Sequence, residues 1–199
     1  MNDVIRIVYI DDNPEPKLSK YLEGPFSTDY TVDSKEVIFS PNDGYSSLLS
    51  DSRVKESNIA VIDSKLFENR VAHDGFFTGE EFLIVLKKLF PFIETIIVSQ
   101  NDLTPGIDYV KKYEYSVDIS AEDYYDSALK ERIISAIGSI RRYRFLADII
   151  KDNNSWDEFL KDKVLRTLDG YDEYDDLKKA DLDEIITAFK RIQEALDNG

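Results

Sequence analysis

Hydrophobic positions along the chain fall into two patterns, short solid blocks and longer spaced stripes. Residues 5–10, 59–62 and 95–98 are blocks rich in Ile and Val, without regular polar alternation, which is the pattern of strands covered on both faces of a parallel sheet. Each block runs straight into polar residues: Asp11-Asp12 after the first, Asp63 after the second, Ser99 after the third. A fourth block, 36–39, leads into the turn cluster Ser40-Pro41-Asn42-Asp43-Gly44, and a weaker fifth spans 115–119.

The stripes lie between and after the blocks. Residues 45–54 carry Leu48, Leu49 and Val54 on one side of a short helix. Residues 79–90 place Phe82, Leu83, Val85, Leu86, Leu89 and Phe90 on a wide apolar face, and Pro91 stops the helix. The longest stripe, 125–151, repeats apolar residues every three or four positions. Strands alternating with helices predict an α/β fold, a doubly wound five-stranded parallel sheet. Past residue 150 only helical patterns remain, one opening at Ser155-Trp156-Asp157-Glu158 and closing near Gly170, another carrying Leu182, Ile185, Ile186, Phe189, Ile192 and Leu196 on one stripe. The expected organisation is a sheet domain over 1–145 followed by an acidic all-α C-terminal extension over 146–199.

Composition narrows the chemistry. Asp and Glu number 40 against 25 Lys and Arg, a formal charge of −15, which repels a phosphate backbone. The last quarter, 151–199, holds 14 acidic and 8 basic residues, a net of −6 with no basic recognition face, so DNA binding is not expected. One basic cluster, Lys130, Arg132, Arg141, Arg142 and Arg144, reads as a solvated face, with docking of an acidic segment as the alternative. With no Cys and a single His, disulfide scaffolds, thiolate zinc sites and Cys nucleophiles are excluded. The longest apolar run is five residues, Phe82 to Leu86, far short of the ~20 a membrane-spanning helix needs. A cytoplasmic location is the expectation. His73 reads as a surface residue and Trp156 as an apolar anchor.

In a doubly wound sheet, residues just past the carboxyl ends of the strands converge on one crevice, which brings Asp11, Asp12, Asp63 and Ser99 together. Asp11 and Asp12 supply hard oxygen ligands suited to Mg²⁺. Asp63 is then placed to attack a phosphoryl donor as a carboxylate nucleophile, with Ser99 hydrogen-bonding to the transferred group.

At this point the chain resembles the receiver domain of two-component response regulators. The resemblance rests on Ile7-Val8-Tyr9-Ile10-Asp11-Asp12-Asn13, Ala60-Val61-Ile62-Asp63, Gly79-Glu80-Glu81-Phe82-Leu83 and Ile96-Ile97-Val98-Ser99, and covers roughly residues 1 to 145. It implies a flavodoxin-like receiver fold and Mg²⁺ held by Asp11, Asp12, Asp63 and the backbone carbonyl of Lys65. It also implies phosphorylation of Asp63 by a sensor histidine kinase or another phosphodonor, and sensing of the phosphoryl group by Ser99. On this reading the chain is not an enzyme beyond its own phosphorylation and dephosphorylation. It acts on a partner protein, with a homodimer through the long helix as a further possibility.

Two departures accompany the resemblance. Residues 64–78 are longer than the family's loop and lack its Pro, an insertion of about eight residues by loop-length expectation. The family's lysine after the fifth strand has no counterpart if that strand is 115–119. Lys111 and Lys112 are the nearest, and using either makes 107–110 the strand and leaves too few residues for a preceding helix, so the lysine is expected to be absent. Two rival readings follow: a pseudo-receiver that binds partners without phosphorylation, and a Mg²⁺-dependent phosphohydrolase with Asp11 as nucleophile. The second is disfavoured by Asn13, where such enzymes place an Asp.

Overall fold

The computed structural model describes residues 3–24, 26, 29–40, 45–66, 78–103, 105–115, 118–153, 155 and 157–168. Five strands form one parallel sheet: β1 (Asp3–Asp11), β2 (Tyr30–Ile38), β3 (Ile59–Asp63), β4 (Glu94–Ser99) and β5 (Tyr109–Lys111). Their spatial order is β2-β1-β3-β4-β5. The helices are α1 (Pro16–Leu22), α2 (Tyr45–Ser50), α3 (Ser52–Lys55), α4 (Gly79–Leu89), α5 (Ala121–Ala128), α6 (Lys130–Asp152) and α7 (Glu158–Leu168). This is a flavodoxin-like α/β fold with helices following at the C-terminal side.

The pleat divides each solid block of the sequence between two cores. Val8, Ile10, Ala60, Ile62 and Ile97 face α2, α3 and α4, where Leu48, Val54, Phe82, Val85 and Leu86 cover them. Ile5, Ile7, Tyr9, Val61, Ile96 and Val98 face the other way, under Leu18 and Leu22 of α1, Tyr125 of α5, and Ile133, Ile137 and Ile140 of α6. The central strand β3 is buried at every position, which is why the sequence shows no alternation there.

Three expected elements differ. β2 starts at Tyr30 rather than near 36, because it is an edge strand whose exposed and half-buried positions carry Thr31, Asp33, Ser34 and Lys35 and so lack an apolar signature. The stripe at 45–54 is two short helices, since Asp51 leaves the first and caps the second by accepting the Arg53 N–H at 2.8 Å. The stripe at 125–151 breaks at Leu129 (φ −120°, ψ −31°) into α5 and α6. α6 then runs unbroken through residue 145, where the sequence places the end of the sheet domain.

The fifth strand is the larger correction. It is Tyr109–Lys111, not 115–119, and Tyr115 and Ile119 are exposed. A parallel crossover ordinarily takes a dozen or more residues and a helix. Here the nine residues 100–108 make the crossing with no helix among those described, turning at Gly106 with φ 102°. Leu103 and Tyr109 pack on the core in the helix's place. Because β5 pairs only with Ile97, Val98 and Ser99, the lower edge of β4 is left beside a cavity of about 650 Å³ between α4 and α6, lined by Leu83, Ile84, Ile97, Ile107 and Ser135 among others.

α7 packs on α6, its start capped by Asp157, which accepts the Phe159 and Leu160 N–H groups at 3.1 Å. The stripe at 181–196, Trp156, His73 and most of the 64–78 insertion lie outside the described residues. Among the described residues no helix is long and apolar enough to cross a membrane.

Candidate functional site

The carboxyl ends of β1, β3 and β5 meet at one buried pocket. Asp11 ends β1, Asp63 ends β3, and Lys112 follows β5, each at most 5% exposed. Asp12 is half-buried beside them, and one carboxylate oxygen from each of Asp11, Asp12 and Asp63 lies within 4.8 Å of the others. Such a cluster of hard oxygens is able to hold a metal ion.

Lys112 reverses the expectation that the chain has no lysine here. Its Nζ lies 2.7 Å from Asp11 Oδ2 and 2.6 Å from Asp63 Oδ1. The reason is the helix-free crossover: a short connection brings β5 forward in sequence, so the residue after it is Lys112, whose N–H donates to the Ser99 carbonyl at 2.7 Å. The sequence signal for it is Ile107-Asp108-Tyr109-Val110 followed by two lysines, weakened by the charge of Asp108 and by the absence of a helical pattern before it.

Both buried aspartates also accept from donors close by in the chain. Asp11 Oδ1 accepts the Asn13 N–H at 2.9 Å, and Asp11 Oδ2 accepts the Tyr9 hydroxyl. Asp63 Oδ2 accepts the Lys65 N–H at 2.9 Å. Ser99 is fully buried at the end of β4, next to the Val98 that pairs with Asp63, and its hydroxyl oxygen accepts the Asn101 N–H at 3.2 Å.

A helix end is fastened to this rim. Thr78 and Glu81 form a reciprocal capping box at the start of α4. The Gly79 N–H donates to the Ser64 carbonyl at 2.8 Å, and the Ser64 hydroxyl donates to the buried Glu80 carboxylate at 2.7 Å. A side chain at 79 has no room, because a Cβ there would stand 2.0 Å from the Asp63 carbonyl oxygen.

Electrostatics follow from burial and a shortage of positive charge. Burial pushes the Asp63 carboxyl above the usual carboxylate range, assisted by the charge of Asp11 and opposed by Lys112. For Lys112 burial works against the ammonium, but Asp11 and Asp63 outweigh it and hold the amine above the ordinary lysine value. Three carboxylates and one ammonium leave a formal −2 in the pocket, the charge that one divalent cation neutralises.

The sequence matches no family model, and no curated protein matches it. Fold and site by themselves define the class: a flavodoxin-like α/β protein with an acidic cluster that is able to hold a metal ion, an arrangement compatible with a receiver-like fold.

Proposed function

We propose that the chain is a receiver-like signalling protein in which Asp63 accepts a phosphoryl group. The observation that carries this reading is the placement of Lys112 Nζ between Asp11 and Asp63, within a cluster of three carboxylates at the ends of parallel strands. A carboxylate oxygen of Asp63 attacks the phosphorus of the donor, an acyl phosphate or a phosphohistidine of a sensor kinase. The bond from phosphorus to the donor oxygen or nitrogen breaks, and its electron pair leaves with the donor. Asp11, Asp12 and Asp63, with the Lys65 carbonyl that the resemblance implies, would hold Mg²⁺, which would offset charge on the transferred group. Lys112 gives a second positive charge against the new phosphoryl oxygens, and the Ser99 hydroxyl donates to one of them.

Asp11 is a poor nucleophile, since its carboxylate already accepts from Tyr9, Lys112 and Asn13, so the phosphohydrolase reading is set aside. The chain turns over no substrate beyond its own acyl phosphate, and its output is contact with a partner protein. The helix-free crossover favours one second reading, a pseudo-receiver that binds partners in a fixed conformation.

Acetyl phosphate with Mg²⁺ separates the two. A mass gain at Asp63 that is lost in Asp63→Asn and on chelation supports the phosphoacceptor. A protein that binds Mg²⁺ but never takes the label supports the pseudo-receiver.

A further inference from the structure

A hydrogen-bonded ring runs through the acidic pocket and back. Lys112 Nζ bonds Asp11 Oδ2 at 2.7 Å, and the Tyr9 hydroxyl donates to that same oxygen. The Tyr9 oxygen accepts the Glu15 backbone N–H at 3.4 Å. The Glu15 carboxylate accepts the Tyr125 hydroxyl at 3.0 Å, and the Tyr125 oxygen accepts the Tyr113 backbone N–H at 3.0 Å. Tyr113 follows Lys112 in the chain, which closes the ring. It threads the end of β1, the N-terminus of α1, α5 and the end of β5.

Packing alone does not call for these groups. Tyr9 and Tyr125 are fully buried, where Phe fills the same space without a hydroxyl to satisfy. Glu is not a preferred N-cap residue. Glu15 nevertheless caps α1, accepting the Lys17 N–H at 2.9 Å and the Leu18 N–H at 2.7 Å, and its longer side chain also reaches Tyr125.

We propose that Tyr125, acting with Glu15 and Tyr9, is a positioning residue for Lys112: the ring fixes where the ammonium stands and carries its displacement to α1 and α5. This rests on the reading of Asp63 as phosphoacceptor and adds how that site is held and read out. Phosphoryl oxygens on Asp63 compete with Asp11 for the ammonium. Asp11 keeps Tyr9 and Asn13 as hydrogen-bond donors when Lys112 shifts, and the divalent cation of the proposed reaction would offset its charge. A shift of Lys112 draws on the Tyr113 N–H, hence on Tyr125 and on the cap of α1. Tyr125 packs at a tilt against Tyr21 of α1 and edge-to-face against Tyr124 of α5, with centroids 5.4 and 5.3 Å apart.

The test uses the full chain with acetyl phosphate and Mg²⁺. Tyr125→Phe keeps the ring's bulk and loses its hydroxyl. It is expected to slow labelling of Asp63 by about tenfold, the equivalent of one hydrogen bond, while Mg²⁺ affinity by calorimetry stays within about twofold, because the Tyr125 hydroxyl touches Glu15 and Tyr113 and none of the three carboxylates. Tyr9→Phe also slows labelling, and the double variant is no slower than the slower single one, because both open the same ring. Glu15→Gln, which keeps an amide oxygen for Tyr125, retains most of the rate, and Glu15→Ala does not. Labelling changes hydrogen exchange in α1 and α5 of the wild type but not of Tyr125→Phe. If circular dichroism shows Tyr125→Phe unfolded, the Glu15 pair decides alone. Equal labelling in wild type, Tyr125→Phe and Glu15→Ala overturns the ring and leaves the phosphoacceptor standing. A wild type that never takes the label overturns both.

Discussion

Lys112 holds two buried carboxylates with one charge, so removing it leaves both uncompensated. Lys112→Ala is expected to cost about 3–5 kcal/mol in urea unfolding without metal, with much of that loss restored by millimolar Mg²⁺. A raised folded pKa means that the contribution of Lys112 is fully present below the ordinary lysine value of about 10.5 and is lost as pH rises through the raised value. Alkaline melts of wild type and Lys112→Ala therefore converge only at high pH. Asp63 behaves the same way at the acid end, because its folded pKa is also raised. Its contribution is present below about 3.8 and is lost as pH climbs through the raised value. The Tm of metal-free wild type minus that of Asp63→Asn should accordingly grow as pH falls from neutral, and a flat difference would remove burial as the cause. At this scale the positions of Asp11, Asp12, Asp63 and Ser99 at strand ends were legible, since each sits where a solid apolar block stops. Lys112 was harder to place, because the short run before it is interrupted by Asp108 and follows a connection too short for a helix.

Elements were legible in proportion to their burial. β1, β3 and β4 announce themselves because both faces are covered, and α4 because Thr78, Glu81 and Pro91 mark its ends. Edge elements carry weaker marks: the polar β2, and a β5 of three residues with one buried position. The break at Leu129 has no Gly or Pro to signal it, and Leu129 itself is fully buried, so tertiary packing set it. The joint between β3 and α4 gives the prediction proper to this scale. Gly79→Ala forces a Cβ against the Asp63 carbonyl and should destabilise by about 3 kcal/mol, read by thermal unfolding. Because the same contact sets the end of β3, Mg²⁺ affinity should fall with it, whereas an alanine at exposed Ser52 should leave affinity unchanged.

For the molecule as a whole, the outer side of the C-terminal helices bears on association. Phe145, Leu146 and Ile149 of α6 and Phe159 and Leu160 of α7 are each roughly half or more exposed. On the proposal that two copies meet through the long helix, Phe145→Asp with Ile149→Asp should shift sedimentation from dimer to monomer and change unfolding free energy by no more than about 0.5 kcal/mol. Identical sedimentation of wild type and variant would remove α6 as the seam. The parallel sheet follows from the alternation of blocks and stripes, whereas the strand order is that of the flavodoxin-like fold the resemblance implies. The two-sided core follows from the pleat, and neither depends on the acidic C-terminal quarter.

The brevity of β5 has a last consequence. The strand that delivers the pocket's ammonium is tied to the sheet by only three paired residues, so it is a seam along which the native state opens at low cost. Opening there withdraws the counter-charge from Asp11 and Asp63 together and leaves two buried carboxylates uncompensated. The electrostatic integrity of the pocket is thereby tied to the fraying of an edge: amide protection at Val110 and Lys111 should climb with Mg²⁺ concentration while that of the β1 and β3 interior stays level.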